Sequence, residues 1–180
     1  GMSRDLYAGE PVFAEALDAC ADLLAEPLGL DLRTVLFPDA PAEDGLTHTT
    51  LAQPALFATE YAMATLLRSW GVEPDVMVGH SIGEFTAAVL SGVLSLKDAA
   101  HLVALRGRLM QDRPTGAMVS IAAAAADIEP LLPDGVSIAA INAPMLCVAS
   151  GPHEAVAELG GTLAAKEITV RPLHTSHAFH

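Results

Sequence analysis

Up to about residue 115 the apolar positions recur mostly at helical spacing, and beyond it short strand-like runs alternate with helical ones. From Pro11 to Ala25 a face forms from Val12, Phe13, Ala16, Leu17, Cys20, Leu23 and Leu24. Residues 28–37 read as a loop with at most a short helical turn, and residues 38–47, rich in Pro, Ala, Asp and Glu, as a solvated connection. Thr50 with Gln53 three residues later suggests a capping box for a long helix over Leu51–Trp70, with Pro54 near its start and Gly71 as its stop. Asp75-Val76-Met77-Val78 then predicts a short buried strand, and Ile82 to Leu90 a helix immediately behind it. Gly92 ends that segment, and Ser95-Leu96-Lys97-Asp98 resembles a second capping box opening a helix to about Gln111.

Gln111-Asp112-Arg113-Pro114-Thr115-Gly116 is a strong breaker, and the pattern changes after it. Ala117–Ile121 reads as a strand, Ala122–Leu131 as a short helix, Val136–Ile141 and Leu146–Ser150 as strands, Pro152–Leu163 as a helix and Ile168–Leu173 as a last strand. That order is the split ferredoxin-like unit. The expected class is therefore α/β. A larger α/β part spans 1–115, a small ferredoxin-like subdomain 116–173, and a return segment 174–180.

Composition narrows the partners. The 180 residues carry nine Lys plus Arg against 22 Asp plus Glu, a formal charge of −13, and no basic cluster offsets that field, which argues against a nucleic-acid partner. The hydrophobic fraction of 52% argues for a folded chain rather than a disordered one. No apolar run of membrane-spanning length and no basic-then-apolar leader is visible, so the expectation is no membrane and a cytoplasmic location. Cys20 and Cys147 stand far apart and belong to no CxxC pair, and two buried thiols are expected rather than a disulfide or a zinc site.

The chemistry gathers at Gly79-His80-Ser81-Ile82-Gly83. Small residues two before and two after a serine, between a strand and a helix, are the nucleophile-elbow pattern: the chain turns sharply and leaves the hydroxyl exposed. Attack at Ser81 would create an oxyanion near the unpaired first-turn N–H groups, with the N–H of Ile82 the natural donor. A serine nucleophile needs a neutral imidazole to take its proton, and the histidines of His174-Thr175-Ser176-His177-Ala178-Phe179-His180 are candidates. The residues alone do not say which one serves. Their spacing of three would suit a metal only on a helix, which the preceding strand does not predict, and no Asp or Glu stands nearby. Arg106, on the helix before the breaker, is either a solvated helix arginine or a carboxylate-binding group.

Four motifs taken together, Thr50-Leu51-Ala52-Gln53-Pro54-Ala55, Gly79-His80-Ser81-Ile82-Gly83-Glu84, Leu105-Arg106-Gly107-Arg108 and His177-Ala178-Phe179-His180, resemble the acyltransferase domain of a type I polyketide synthase, related to the malonyl-CoA:acyl-carrier-protein transacylases. The resemblance covers essentially the whole chain. It implies an α/β-hydrolase-like core with a nucleophile elbow plus the ferredoxin-like subdomain. It also implies ping-pong transfer of a malonyl group from malonyl-CoA through a Ser81 ester to the phosphopantetheine thiol of an acyl carrier protein. No cofactor is held permanently, and neighbouring synthase domains such as a ketosynthase are implied partners. His180 falls on the catalytic base and Arg106 on the arginine that holds the malonyl carboxylate, for which a planar guanidinium is suited. His80 is expected to line the acyl pocket, Gln53 to stand at the rim of the site, and Asn142 near the cleft. Asn142 could equally cap the turn before Pro144. His177 and Phe179 occupy the variable places of a motif in which His-Ala-Phe-His accompanies malonyl and Tyr-Ala-Ser-His methylmalonyl selectivity. Phe179 leaves little room for an α-methyl branch, and Ile82 agrees with the malonyl pattern.

The family carries a Gly-Gln-Gly segment before the first residue of this chain and an asparagine-bearing continuation after the catalytic histidine, so an internal portion of the domain is expected. Two other readings remain. A serine esterase of α/β-hydrolase type would require an acid between nucleophile and histidine, for which Asp127 and Asp134 are available. An inactive structural fragment of a synthase would keep the elbow for folding alone.

Overall fold

The computed structural model describes residues 2–38, 46 and 48–180, which fall into two compact units, Gly1–Gln111 and Asp112–His180. The expected polar connection at 38–47 lies almost wholly outside the described residues.

Six helices make up the regular structure of the first unit among the described residues: α1 (Arg4–Gly9), α2 (Pro11–Leu28), α3 (Leu32–Leu36), α4 (Thr49–Ser69), α5 (Gly83–Leu90) and α6 (Leu96–Gln111). Faces of α2, α4 and α6 meet in a core that includes Phe13, Leu17, Leu24, Phe57, Leu66 and Val103, all fully buried. The cap expected at Ser95 forms: its Oγ accepts from the Asp98 N–H at 3.0 Å. The one expected at Thr50 does not. Helix α4 begins at Thr49 with His48 as N-cap, and its first turn is fastened instead to the end of α6. Thr49 donates its N–H to Gln111 Oε1 (3.1 Å) and its hydroxyl to the Gly107 carbonyl (2.9 Å). A side chain at 107 would put its Cβ 2.8 Å from the Thr49 carbonyl oxygen, so the close approach of the two helices depends on that glycine. The earlier start also leaves Pro54 inside α4, where the helix gives up one N–H bond.

The strand expected at residues 75–78 is not formed. Val76 and Val78 are 87% and 91% exposed. A strand exists only through a ladder with a neighbour, and the described strands all lie in the single sheet of the second unit.

That unit runs β1 (Ala117–Ile121), α7 (Ala125–Ile128) with a 3₁₀ turn at Glu129–Leu131, β2 (Ser137–Ala143), β3 (Leu146–Gly151), α8 (His153–Ala164) and β4 (Val170–Pro172). Its strands are ordered β2-β3-β1-β4 and every neighbouring pair is antiparallel, the split ferredoxin-like arrangement expected from the sequence. Val119, Ile121, Cys147 and Ala149 pack with Ile128, Val156, Leu159 and Leu163 as its core. The last strand is shorter than its apolar pattern. It stops at Pro172, which has no N–H for the ladder. Among the described residues no helix is long and apolar enough to cross a membrane.

Candidate active site

Ser81 occupies the left-handed region with φ 55°, a conformation that costs a non-glycine residue of order 1–2 kcal/mol. Such strain persists only where the surroundings over-determine it. Here they do. The Gly83 N–H reaches back to the His80 carbonyl (3.2 Å), Glu84 to Ser81 (3.3 Å) and Phe85 to Ile82 (3.0 Å), so α5 starts at once behind the serine. The two glycines of the motif are not equivalent. A Cβ at Gly79 would lie 2.1 Å from the Glu84 nitrogen, whereas one at Gly83 would meet nothing nearer than Glu60 Oε2 at 3.8 Å. Gly79 alone is sterically required. Its N–H donates to Glu84 Oε1 (2.9 Å), a clamp across the turn. Ile82 is buried, His80 is exposed, and among the described residues the Ile82 N–H has no acceptor. That leaves the amide free to serve an incoming oxyanion.

Helix α6 brings Arg106 to this turn. Its Nη2 donates to Ser81 Oγ at 3.2 Å, and its Nη1 donates to Gln53 Oε1, presented by α4. The Gln53 amide in turn donates to Met110 Sδ (3.2 Å), one helical turn beyond Arg106. Burial lowers the Arg106 pKa below the ordinary guanidinium value, yet the guanidinium remains charged at any physiological pH. Among the described residues no carboxylate pairs with it: the ion pairs there are those of Arg33 with Asp18, Asp22 and Asp31, and of Arg68 with Glu73. A cation with no carboxylate partner among the described residues, touching a strained serine hydroxyl, suits a substrate that carries its own anion.

The second unit holds the remaining candidates. His177 is buried and Phe179 half-buried, their rings stacked with centroids 6.4 Å apart and planes at 21°. His180 is exposed with φ 60°. Asn142 is exposed near the end of β2, before the hairpin turn at Pro144. No cluster of three or more His, Cys, Asp or Glu among the described residues is placed to hold a metal ion. Met110, four residues after Arg106, and Glu84, three after Ser81, are supporting side chains whose only signal in the sequence is that helical spacing.

A family model described as the acyl transferase domain matches residues 1–180. The chain belongs to the acyl transferase domain family. It is 50% identical, over its whole length, to the phenolphthiocerol synthesis polyketide synthase type I Pks15/1 of Mycobacterium marinum and to the mycoketide-CoA synthase of Mycobacterium tuberculosis, spanning 8% and 4% of them. Among solved structures, the acyltransferase domain from the second module of the salinomycin polyketide synthase is 45% identical with a TM-score of 0.89, covering 98% of this chain and 42% of that one. The same fold recurs, at 33% identity and a TM-score of 0.83, in the MCAT of Streptococcus pneumoniae, with 99% of this chain and 59% of that one covered. The chain thus spans a small fraction of the synthases it matches and less than two thirds of each solved chain. Its α/β class and ferredoxin-like second unit are those of these acyltransferase domains.

Proposed function

We propose that this chain carries the chemistry of malonyl transfer from malonyl-CoA to the phosphopantetheine thiol of an acyl carrier protein, by a ping-pong route through a Ser81 ester. The observation that carries the reading is the contact between Arg106 and Ser81, a carboxylate-binding cation beside a nucleophile held at an elbow. Ser81 Oγ attacks the thioester carbonyl, its proton passes to His180, and the Ile82 N–H stabilises the oxyanion. Collapse expels coenzyme A, whose sulfur takes the proton back from His180. The carrier thiol then repeats the sequence on the Ser81 ester, giving the malonyl thioester and restoring the hydroxyl.

In this reading Arg106 holds the malonyl carboxylate, Gln53 orients Arg106, and His80 and Ile82 line the acyl pocket. The same reading expects Asn142 near the cleft. Phe179, stacked on His177, disfavours an α-methyl branch, and one methyl group is worth about 1–3 kcal/mol of discrimination. A solved acyl transferase domain, SpnD, 40% identical to this chain, is in complex with a 2-(pent-4-yn-1-yl)malonyl group, which supports a carboxylate-bearing acyl class. Carrier protein and ketosynthase are the partners, and the cytoplasm the location, that polyketide chemistry of this kind calls for. The division of labour follows the domains read from the sequence: residues 1–115 supply nucleophile and cation, 116–173 the small subdomain, and 174–180 the base.

An esterase reading lacks support in the geometry. Asp127 and Asp134 are exposed in the second unit, and a simple neutral ester has no use for Arg106. Intact-protein mass after brief exposure to malonyl-CoA tests the proposal. A malonyl adduct that disappears in Ser81→Ala is expected. No adduct on folded protein, either as this chain or within its full-length synthase, would overturn it.

A further inference from the structure

We propose that His177 is a positioning residue, whose imidazole clasps the return segment onto residues 113–116 and so sets where Phe179 and His180 emerge. His177 is 4% exposed, and both of its ring nitrogens are used inside the second unit. Nε2 lies 3.2 Å from the Arg113 carbonyl oxygen and Nδ1 lies 2.7 Å from Ser176 Oγ. A carbonyl oxygen can only accept, so Nε2 carries the hydrogen. In the neutral ring Nδ1 is then the acceptor of the Ser176 hydroxyl, and the imidazole is fully satisfied. The group therefore faces backbone and a neighbouring hydroxyl. This refines the malonyl-transfer reading, on which its catalytic consequence rests.

Three further contacts fasten the same few residues. Gly116 donates its N–H to the Ser176 carbonyl (3.3 Å). The Thr175 hydroxyl donates to the His177 carbonyl (3.0 Å). Ala178 is packed so tightly on Gly116 that a Cβ there would stand 2.7 Å from the Ala178 methyl and 2.8 Å from the Gly151 carbonyl oxygen. The clasp thus ties the segment after β4 to the segment before β1. Upstream, Leu173 still bonds to Met118 (2.9 Å), so residues 173–178 are held along their length and the two residues that follow are delivered from a fixed base.

The test compares His177→Leu, which removes the donor, with His177→Gln, whose amide can still donate to Arg113, in the 180-residue chain. Hydrogen exchange at the Gly116 N–H is expected to accelerate about tenfold in the Leu variant, the equivalent of one lost hydrogen bond. Exchange in β1 and β3 stays unchanged, and the Gln variant stays near wild type. Nitrogen NMR of the wild-type ring is expected to show the Nε2–H tautomer. Malonylation of Ser81 should lose maximal rate in the Leu variant, with little change in the malonyl-CoA concentration at half-maximal rate, and recover in the Gln variant. Unchanged Gly116 exchange, identical behaviour of the two variants, an Nδ1–H tautomer, or a loss confined to the half-maximal concentration would overturn the proposal. If the wild type forms no malonyl adduct, either as this chain or within its full-length synthase, the transfer reading fails, while exchange and tautomer still decide the clasp.

Discussion

Arg106 Nη2 and Ser81 Oγ are 3.2 Å apart, so the cation proposed to bind the acyl carboxylate is hydrogen-bonded to the nucleophile proposed to receive the acyl carbonyl. A malonyl group spans that same short interval, with a carboxylate one methylene away from its thioester. Replacing Arg106 by Ala removes a charge-assisted pair worth about 1.5–3 kcal/mol, so malonylation of Ser81 should slow roughly 10- to 150-fold. Lys should restore only part, because an ammonium cannot hold a carboxylate bidentately. Acylation by acetyl-CoA, which has no carboxylate, should change far less. Equal losses for both acyl-CoAs in a time course of adduct mass would show that Arg106 does not read the carboxylate.

Gln53 supplies a neutral acceptor to Arg106 Nη1. Making it anionic by Gln53→Glu would give the guanidinium a permanent carboxylate partner and place it in competition with the substrate. The malonyl-CoA concentration for half-maximal acylation should rise by about tenfold or more, on the scale of a buried charge pair. Gln53→Leu should weaken binding less, since it disorders the cation without occupying it. A Glu variant with unaltered concentration dependence would uncouple Gln53 from the acyl site.

Much of this architecture was legible because it is local. The apolar spacing of α2, α6 and α8, the Ser95 cap and the βαββαβ order all follow from periods of 3.6 and 2 and from turn residues. What could not be read is what depends on distant partners. Thr50 and Gln53 fit a capping box by spacing, but the Gln53 side chain is drawn to Arg106, 53 residues away. Val76 and Val78 have a strand's alternation and no neighbour to pair with among the described strands. Helix α1 buries none of its residues and so leaves no periodic trace in the sequence. In the elbow, the pattern treats Gly79 and Gly83 alike, and only the approach of the Glu84 backbone separates them. The motif gives His177 only a variable place linked to acyl selectivity, while the carbonyl that its ring faces belongs to a segment whose pattern shows merely a breaker.

The strain at Ser81 predicts a difference between two variants that lack the hydroxyl. Ser81→Gly removes the left-handed penalty while Ser81→Ala keeps it, so the glycine form should be the more stable in denaturant titrations. The gap should be about 1 kcal/mol once the greater freedom of unfolded glycine is set against it. Gly79→Ala should be worse than either, because its methyl would overlap backbone atoms of residues 83 and 84 rather than a movable side chain. Overpacking of that kind costs about 1–3 kcal/mol or more. An alanine at 79 with wild-type stability would contradict the turn geometry described here.

The two cysteines offer a reporter for each unit. Cys20 lies in the helical core and Cys147 in the core of the second unit, both fully buried. Burial pushes the Cys20 thiol up to about 12 and raises that of Cys147. Because the thiolate is the reactive form, neither should be alkylated in the native protein at pH 8, and each should become reactive at the denaturant concentration that opens its own unit. The raised Cys20 value also fixes a sign. Between the ordinary thiol value of 9.0 and about 12 the unfolded chain has released a proton that the folded chain retains. The stability supplied by that retained thiol is therefore complete below pH 9 and declines as pH rises, by at most about 1.4 kcal/mol per pH unit. Cys20→Ala should flatten the dependence of stability on pH above 9, whatever it costs in packing. Rapid native alkylation of Cys20, or an unchanged slope in the variant, would place that thiol outside the helical core.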